Sequence, residues 1–251
     1  MFESYIRSER HNAITTIEFF HPQSNSLPGK TLDELAQAIH AADNDTDTKV
    51  IVVRSGGGKA FCAGASFDEL KAIKNEEEGL LFFSGFAAVI NAVRICSKFV
   101  IGRIHGKCVG GGVGLAAAFD YAIAVNEAEI KLSELALGIG PFVISPAVER
   151  KIGKSAFGQL TIDAGMWRNA DWARRKGLFA EVHPTTEEMD ESISRLTTAL
   201  SHYSPEAMSQ MKKILWEGTE HWDTLLAERA AISGRLILSE ASRNAIAAIR
   251  K

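Results

Sequence analysis

Val109-Gly110-Gly111-Gly112-Val113-Gly114 decides the fold. It lies between an apolar run, Phe99-Val100-Ile101-Gly102-Arg103-Ile104, and the small apolar stretch from Gly112 to Phe119. The first reads as a strand and the second as a tightly buried helix, so the glycines form a strand-to-helix turn. A second such turn lies upstream. Val50-Ile51-Val52-Val53 reads as a buried strand, Gly56-Gly57-Gly58 breaks it, and Lys59-Ala60-Phe61-Cys62-Ala63-Gly64-Ala65 follows. Ser66-Phe67-Asp68-Glu69 has capping-box spacing, which makes Ser66 a helix N-cap and puts Ala65 just before a helix start. A helix start offers free backbone N–H groups and a positive dipole end. Two such starts brought together form an oxyanion hole for one developing negative charge. Glu134 lies downstream as an acid that can move a proton beside that charge.

Outward from these turns, strands and helices alternate. Ala13 to Phe20 reads as a strand, Thr31 to Ala42 as a helix, and Leu80 to Val93 as a further helix after a charged break at Asn75-Glu76-Glu77-Glu78-Gly79. Tyr121 to Val125 and Glu129 to Leu132 read as strands. Alternation of this kind implies right-handed crossovers and a largely parallel sheet, an α/β fold. After about Ala156 the pattern becomes mostly helical, with helices read over Leu196 to Leu200, Pro205 to Leu215 and Trp222 to Ile249. We divide the chain into an α/β core over 1–195 and a helical region over 196–251. The helical region, with Trp216 and Trp222 read as exposed, is suited to docking on something.

Composition excludes several classes. At 251 residues and 46% hydrophobic, the chain can bury one large core. A net charge of −3 with scattered basic residues gives no nucleic-acid footprint, and Arg174-Arg175-Lys176 and Lys212-Lys213 read as solvated helix faces. No run of about 18 apolar residues reads as a membrane span. The N-terminus lacks a basic-then-apolar leader pattern, so a cytoplasmic location is expected. Cys62, Cys96 and Cys108 have neither disulfide nor metal spacing, and read as packed thiols. No metal site or redox cofactor is expected. Asp120 reads as a helix-end residue bonding backbone, and His105 as structural. Ser133 lacks a nucleophile elbow. Gly110 to Gly114 does not fit the G-x-G-x-x-G dinucleotide pattern.

In order and spacing, Ala60-Phe61-Cys62-Ala63-Gly64-Ala65, His105-Gly106-Lys107-Cys108-Val109-Gly110-Gly111-Gly112, Phe119 to Ala124, Glu134 to Gly138 and Trp172 to Leu178 resemble the crotonase superfamily, the enoyl-CoA hydratase/isomerase family, over nearly the whole length. The resemblance implies a crotonase-like spiral of ββα units with a helical C-terminal region that builds a homotrimer or homohexamer. It implies an acyl-CoA thioester as substrate, with coenzyme A part of the substrate and no separate cofactor. The N–H groups of Ala65 and Gly111 would polarise the thioester carbonyl, and Glu134 would be the acid/base. Ala63, Gly64, Phe67, Gly110, Asn25, Ser26 and Leu27 would contact the CoA ester, while Gly114, Pro141 and Phe142 would line the acyl pocket.

One departure bears on the reaction. Hydratases of the family usually place a second Glu two residues after the glycine triplet, where this chain has Gly114. Hydration needs water activated and the α-carbon protonated, whereas an isomerase needs one carboxylate to take a proton from one carbon and return it to another. The single-Glu pattern is similar to the family's Δ3,Δ2-isomerase members, and both hydration of a 2-enoyl-CoA and isomerisation fit the resemblance. A non-catalytic acyl-CoA-binding or scaffolding protein is the alternative. Gly140 to Pro146 replaces the family's usual glycine-rich run, and its Phe142, Val143 and Ile144 are bulky enough to shape the acyl pocket.

Overall fold

A computed structural model describes residues 3–248. In chain order the elements are β1 (Tyr5–His11), β2 (Ile14–Phe20), β3 (Ser26–Leu27), α1 (Gly29–Asn44), β4 (Val50–Ser55), β5 (Ala60–Cys62), β6 (Gly64–Ala65), α2 (Phe67–Ala72), α3 (Glu76–Ile95), β7 (Phe99–Ile104), β8 (Lys107–Val109) and α4 (Gly111–Ala118). Then come β9 (Tyr121–Val125), β10 (Ile130–Lys131), a 3-10 turn at Glu134–Leu137, α5 (Ser145–Ile162), α6 (Ala170–Arg175), β11 (Glu181–His183), α7 (Thr186–Ser201), α8 (Pro205–Leu215), α9 (Trp222–Leu236) and α10 (Glu240–Ala248).

The large sheet has the order β1-β2-β4-β7-β9-β11, parallel except for the β1–β2 pair. Its central strands are buried on both faces, as the run Val50-Ile51-Val52-Val53 requires. Each unit sends its first strand into this sheet and its next strand into a smaller one. Thus β2 is followed by β3, β4 by β5 and β6, β7 by β8, and β9 by β10. The smaller sheets are β10-β8-β5 and the β3–β6 pair, all parallel. This is the expected spiral of ββα units, and it brings the ends of β6 and β8 side by side.

Several expectations change. The charged break at 75–79 is the start of α3, capped by Asn75, whose side chain accepts the Glu78 N–H at 2.9 Å. Three glutamates in the first turn suit the positive helix end, so the charges mark a helix start rather than a loop. By length and hydropathy α3 could cross a membrane, yet it packs among α1, α4 and α9 inside the fold. The β1 strand was not read from the sequence because it is a polar, mostly exposed edge. The expected Trp222–Ile249 helix divides into α9 and α10, and Ile249 lies outside the described residues. α7 runs across residues 195 and 196, where we divided the chain.

The helical region docks on its own core. α9 crosses α3 so closely that a Cβ on Gly79 would lie 2.7 Å from Gly234 Cα. Trp216 and Trp222 are buried, not exposed, and meet edge to face at 5.8 Å between ring centroids. Lys212 is likewise buried rather than solvated, while Lys213 is exposed. The Lys212 Nζ reaches Asp120 Oδ2 at 2.8 Å and the Lys98 carbonyl at 2.7 Å. Asp120 does bond backbone, accepting the Val100 N–H at 2.8 Å, and also accepts the Trp216 indole N–H at 2.7 Å. The carboxylate thus ties α8 to β7 through a desolvated ion pair. Removing one partner leaves a buried charge unpaired, so Lys212→Ala should lower stability by about 3–5 kcal/mol in urea unfolding, with exposed Lys213→Ala as a near-neutral control.

Candidate active site

A cavity of about 430 Å³ opens where the two turns meet. From the first turn it is lined by Ala63, Gly64, Ala65 and Phe67, and from the second by Val109, Gly110 and Gly111. Glu134 and Ser133 close one side, the segment from Gly140 to Ile144 another, and Phe82, Phe83 and Phe86 of α3 the third.

Glycine is what lets the turns touch. A Cβ on Gly112 would lie inside the van der Waals envelope of the Cys62 carbonyl oxygen, and one on Gly64 would lie 3.1 Å from the Val109 carbonyl and 3.7 Å from Gly111 N. Gly110 has φ 53°, ψ −117°, a conformation that L side chains rarely adopt, and a Cβ there would sit 2.9 Å from Glu134 Oε1. Gly111 is the first residue of α4, so its N–H has no acceptor within the helix. Ala65 ends β6 immediately before Ser66, which caps α2 as expected: its Oγ accepts the Glu69 N–H at 3.3 Å. The other half of the capping box is redirected, because Glu69 Oε2 accepts the Gly29 N–H at the start of α1.

Glu134 opens the 3-10 turn that follows β10, and Gly138 closes it in the left-handed region at φ 75°. A Cβ on Gly138 would lie 2.6 Å from Ser242 Oγ, so α10 seats directly against the turn that carries the acid. The Glu134 side chain is half-buried, and its Oε2 is shut off from solvent with no hydrogen-bond partner. Desolvation raises its pKa to about 7; weaker interactions with the backbone N–H groups of Glu134 and Ser133 oppose the rise. No other carboxylate lines the cavity among the described residues.

Of the residues expected at the CoA ester and the acyl group, Ser26, Ala63, Gly64, Phe67, Gly110, Pro141 and Phe142 line this cavity together with Ala65, Gly111 and Glu134. Asn25, Leu27 and Gly114 do not. Asn25 is buried and pins the loop, its Oδ1 accepting the His21 N–H and its Nδ2 donating to the carbonyls of Gly56 and Ala60. Leu27 is a fully buried core residue. Gly114 is covered by Ile144, whose Cβ lies 2.7 Å from where a Cβ of residue 114 would be. The sequence reading missed the three phenylalanines of α3 and also Leu70, Leu137, Ile139 and Ser233 in the cavity wall. Cys62 and Cys108 stay packed: both are fully buried, and burial pushes the Cys62 thiol up to about 12 and Cys108 well above its usual value. His105 does not line the cavity, and burial lowers its pKa.

Residues 9–241 match the enoyl-CoA hydratase/isomerase family profile. The chain belongs to that family. It is 28% identical over 243 residues to the short-chain-enoyl-CoA hydratase of Clostridium acetobutylicum, a match covering 96% of this chain and 92% of the relative. It is 27% identical over 239 residues to the peroxisomal Delta(3,5)-Delta(2,4)-dienoyl-CoA isomerase of Arabidopsis thaliana, covering 87% and 84%. Two reactions at nearly equal identity mean that overall similarity does not choose between them. The crystal structure of enoyl-CoA hydratase from Bacillus halodurans superposes with a TM-score of 0.91 over 98% of this chain and 100% of that one, at 22% identity, which establishes the crotonase fold.

The raised Glu134 pKa has a stability signature. Folding favours the protonated carboxyl, so its contribution is fully present below the unfolded value near 4.5 and is lost as pH rises through about 7. Glu134→Gln does not titrate. The difference in melting temperature between the variant and wild type should therefore shift in the variant's favour between pH 4 and pH 8; a difference independent of pH would contradict a carboxyl desolvated in this way.

Proposed function

We propose that the chain is an acyl-CoA enzyme that stabilises a thioester enolate, with the Ala65 and Gly111 N–H groups on the carbonyl oxygen and Glu134 as the sole acid/base, and that its reaction is Δ3,Δ2 double-bond isomerisation. The observation that carries this choice is the lone carboxylate: among the described residues Glu134 has no partner acid in the cavity, and Ile144 fills the space at Gly114 where hydratases of the family usually have their second Glu.

In this scheme the Glu134 carboxylate takes a proton from C2 of a 3-enoyl-CoA. The C2–H electron pair forms a C1–C2 double bond as the carbonyl π pair moves onto the thioester oxygen, giving a dienolate. When C4 is protonated the oxygen pair restores the carbonyl, the C1–C2 pair becomes the C2–C3 double bond, and the C3–C4 pair takes the proton. The two N–H groups stabilise that oxygen more in the enolate than in the neutral ester, and one such donor is worth about 2.7–4 kcal/mol of barrier. The Glu134 carboxyl then returns the proton to C4, leaving a 2-enoyl-CoA. The proton taken is the proton returned, so no co-reactant is needed. A carboxyl with a pKa near 7 suits both halves of the exchange near neutral pH. Coenzyme A enters as part of the substrate.

The test offers purified protein a 3-enoyl-CoA and a 2-enoyl-CoA. Wild type should isomerise the first faster than it hydrates the second, with kcat/KM rising with pH through about 7. Glu134→Gln should lose about 10²–10⁴-fold in turnover while still binding the thioester. Undiminished turnover in Glu134→Gln would overturn the acid/base role. Tight binding with no turnover of either substrate would favour an acyl-CoA-binding or scaffolding protein.

A homotrimer or homohexamer belongs to the same proposal. It is supported by α8, which leaves Met211, Ile214 and Leu215 exposed after Trp216 and Lys212 are buried. Light scattering should give a mass of three or six chains; a stable monomer would contradict it.

A further inference from the structure

On its α2 side the cavity shares one lining residue with a neighbouring groove. Leu70 of α2 lines the cavity, and it also lines a second groove of about 550 Å³ between α2 and α10. Ile237, just beyond α9, backs it from the groove side. Leu70 and Ile237 are both buried, and they form one apolar cluster with Phe82 and Ile139, which line the cavity. The cluster is distinct from the main core, with Ala65 and Phe83 packed against both.

The far groove has an apolar side and a basic side. Ile73 and Ile246 give it an apolar surface, and Lys71, Lys74 and Arg243 lie around it. Lys71 is turned away over the Phe67 ring, with Nζ 4.4 Å from the centroid. A straight acyl chain that outgrew the first cavity toward α2 would meet Leu70, and beyond Leu70 lies the apolar side of the groove, formed by Ile73, Ile237 and Ile246.

We propose that Leu70, backed by Ile237, sets the acyl-chain length this protein accepts: short acyl groups end against it, and longer ones are excluded by the partition rather than by any lack of space behind it. The proposal rests on the acyl-CoA reading above and makes Leu70 a specificity-determining residue of that site. Its energetic basis is the ordinary one of an apolar pocket, in which a misfit of a single methylene changes discrimination by about 10–200-fold. Truncating Leu70 would join the two volumes, whereas a larger residue would shorten the first.

The test measures binding of saturated butyryl-, octanoyl- and dodecanoyl-CoA by calorimetry, so that it needs no turnover. In wild type, affinity should fall from the short to the long thioesters. Leu70→Ala should raise the dodecanoyl-to-butyryl affinity ratio by about tenfold or more, Ile237→Ala should raise it in the same direction from the groove side, and Leu70→Phe should lower it. The same ratio in wild type and all three variants, or a wild type that already binds the longest thioester best, would overturn the proposal. Failure of the acid/base reading is distinguishable, because undiminished turnover in Glu134→Gln would leave the binding profile intact; absence of binding for every thioester would overturn both.

Discussion

Everything at the site depends on the close approach of two backbone turns. The β5–β6 turn and the β8–α4 turn touch through Gly64 and Gly112, where a single added Cβ would meet a carbonyl oxygen of the other turn. Protein interiors are close-packed and yield poorly to such an intrusion, so these positions fix the spacing between the turns. That spacing places Gly111 N and Ala65 at one cavity. The alternation of strands between the large and small sheets exists in this molecule to deliver the ends of β6 and β8 to that point. Gly110, in turn, leaves room for the Glu134 carboxylate, which a side chain would displace.

Glu134 is held at a cost. An unpartnered carboxyl oxygen out of solvent disfavours ionisation, and the backbone N–H groups of Glu134 and Ser133 offset this only in part. The surroundings that impose this are contributed by distant parts of the chain: the phenylalanines of α3, the segment from Gly140 to Ile144, and α10 pressing on the 3-10 turn through Ser242. The C-terminal helices therefore shape the site of their own chain, with the buried Asp120–Lys212 pair anchoring α8 to the central sheet.

Much of this was legible in the sequence because backbone geometry leaves local marks. The glycine triplet, the Ser66 capping box and the β-branched runs each report a conformation that few other residues would tolerate, and they located both turns, whereas Glu134 was singled out through the family resemblance. What escaped was whatever depends on contacts distant in sequence. Nothing near Lys212 announces that Asp120 waits 92 positions away to bury its charge. Phe86 reads as one more apolar residue of a helix, although its ring lies over Gly111. Ile144 was legible as bulky, but not as the side chain that occupies the space at Gly114. The acidic run at 75–79 misled because charge clusters mark helix starts as well as loops, and only the Asn75 cap tells the two apart.

In the proposed mechanism the Ala65 and Gly111 amides and the Glu134 carboxylate act on one thioester to form an enolate. Exchange of the α-protons of a saturated acyl-CoA in deuterium oxide, followed by nuclear magnetic resonance, tests this without reference to which product is made. Enzyme-dependent deuterium incorporation at the α-carbon alone, abolished in Glu134→Gln, is the expected result. A bound thioester whose α-protons do not exchange, or exchange that persists undiminished in the variant, would contradict it.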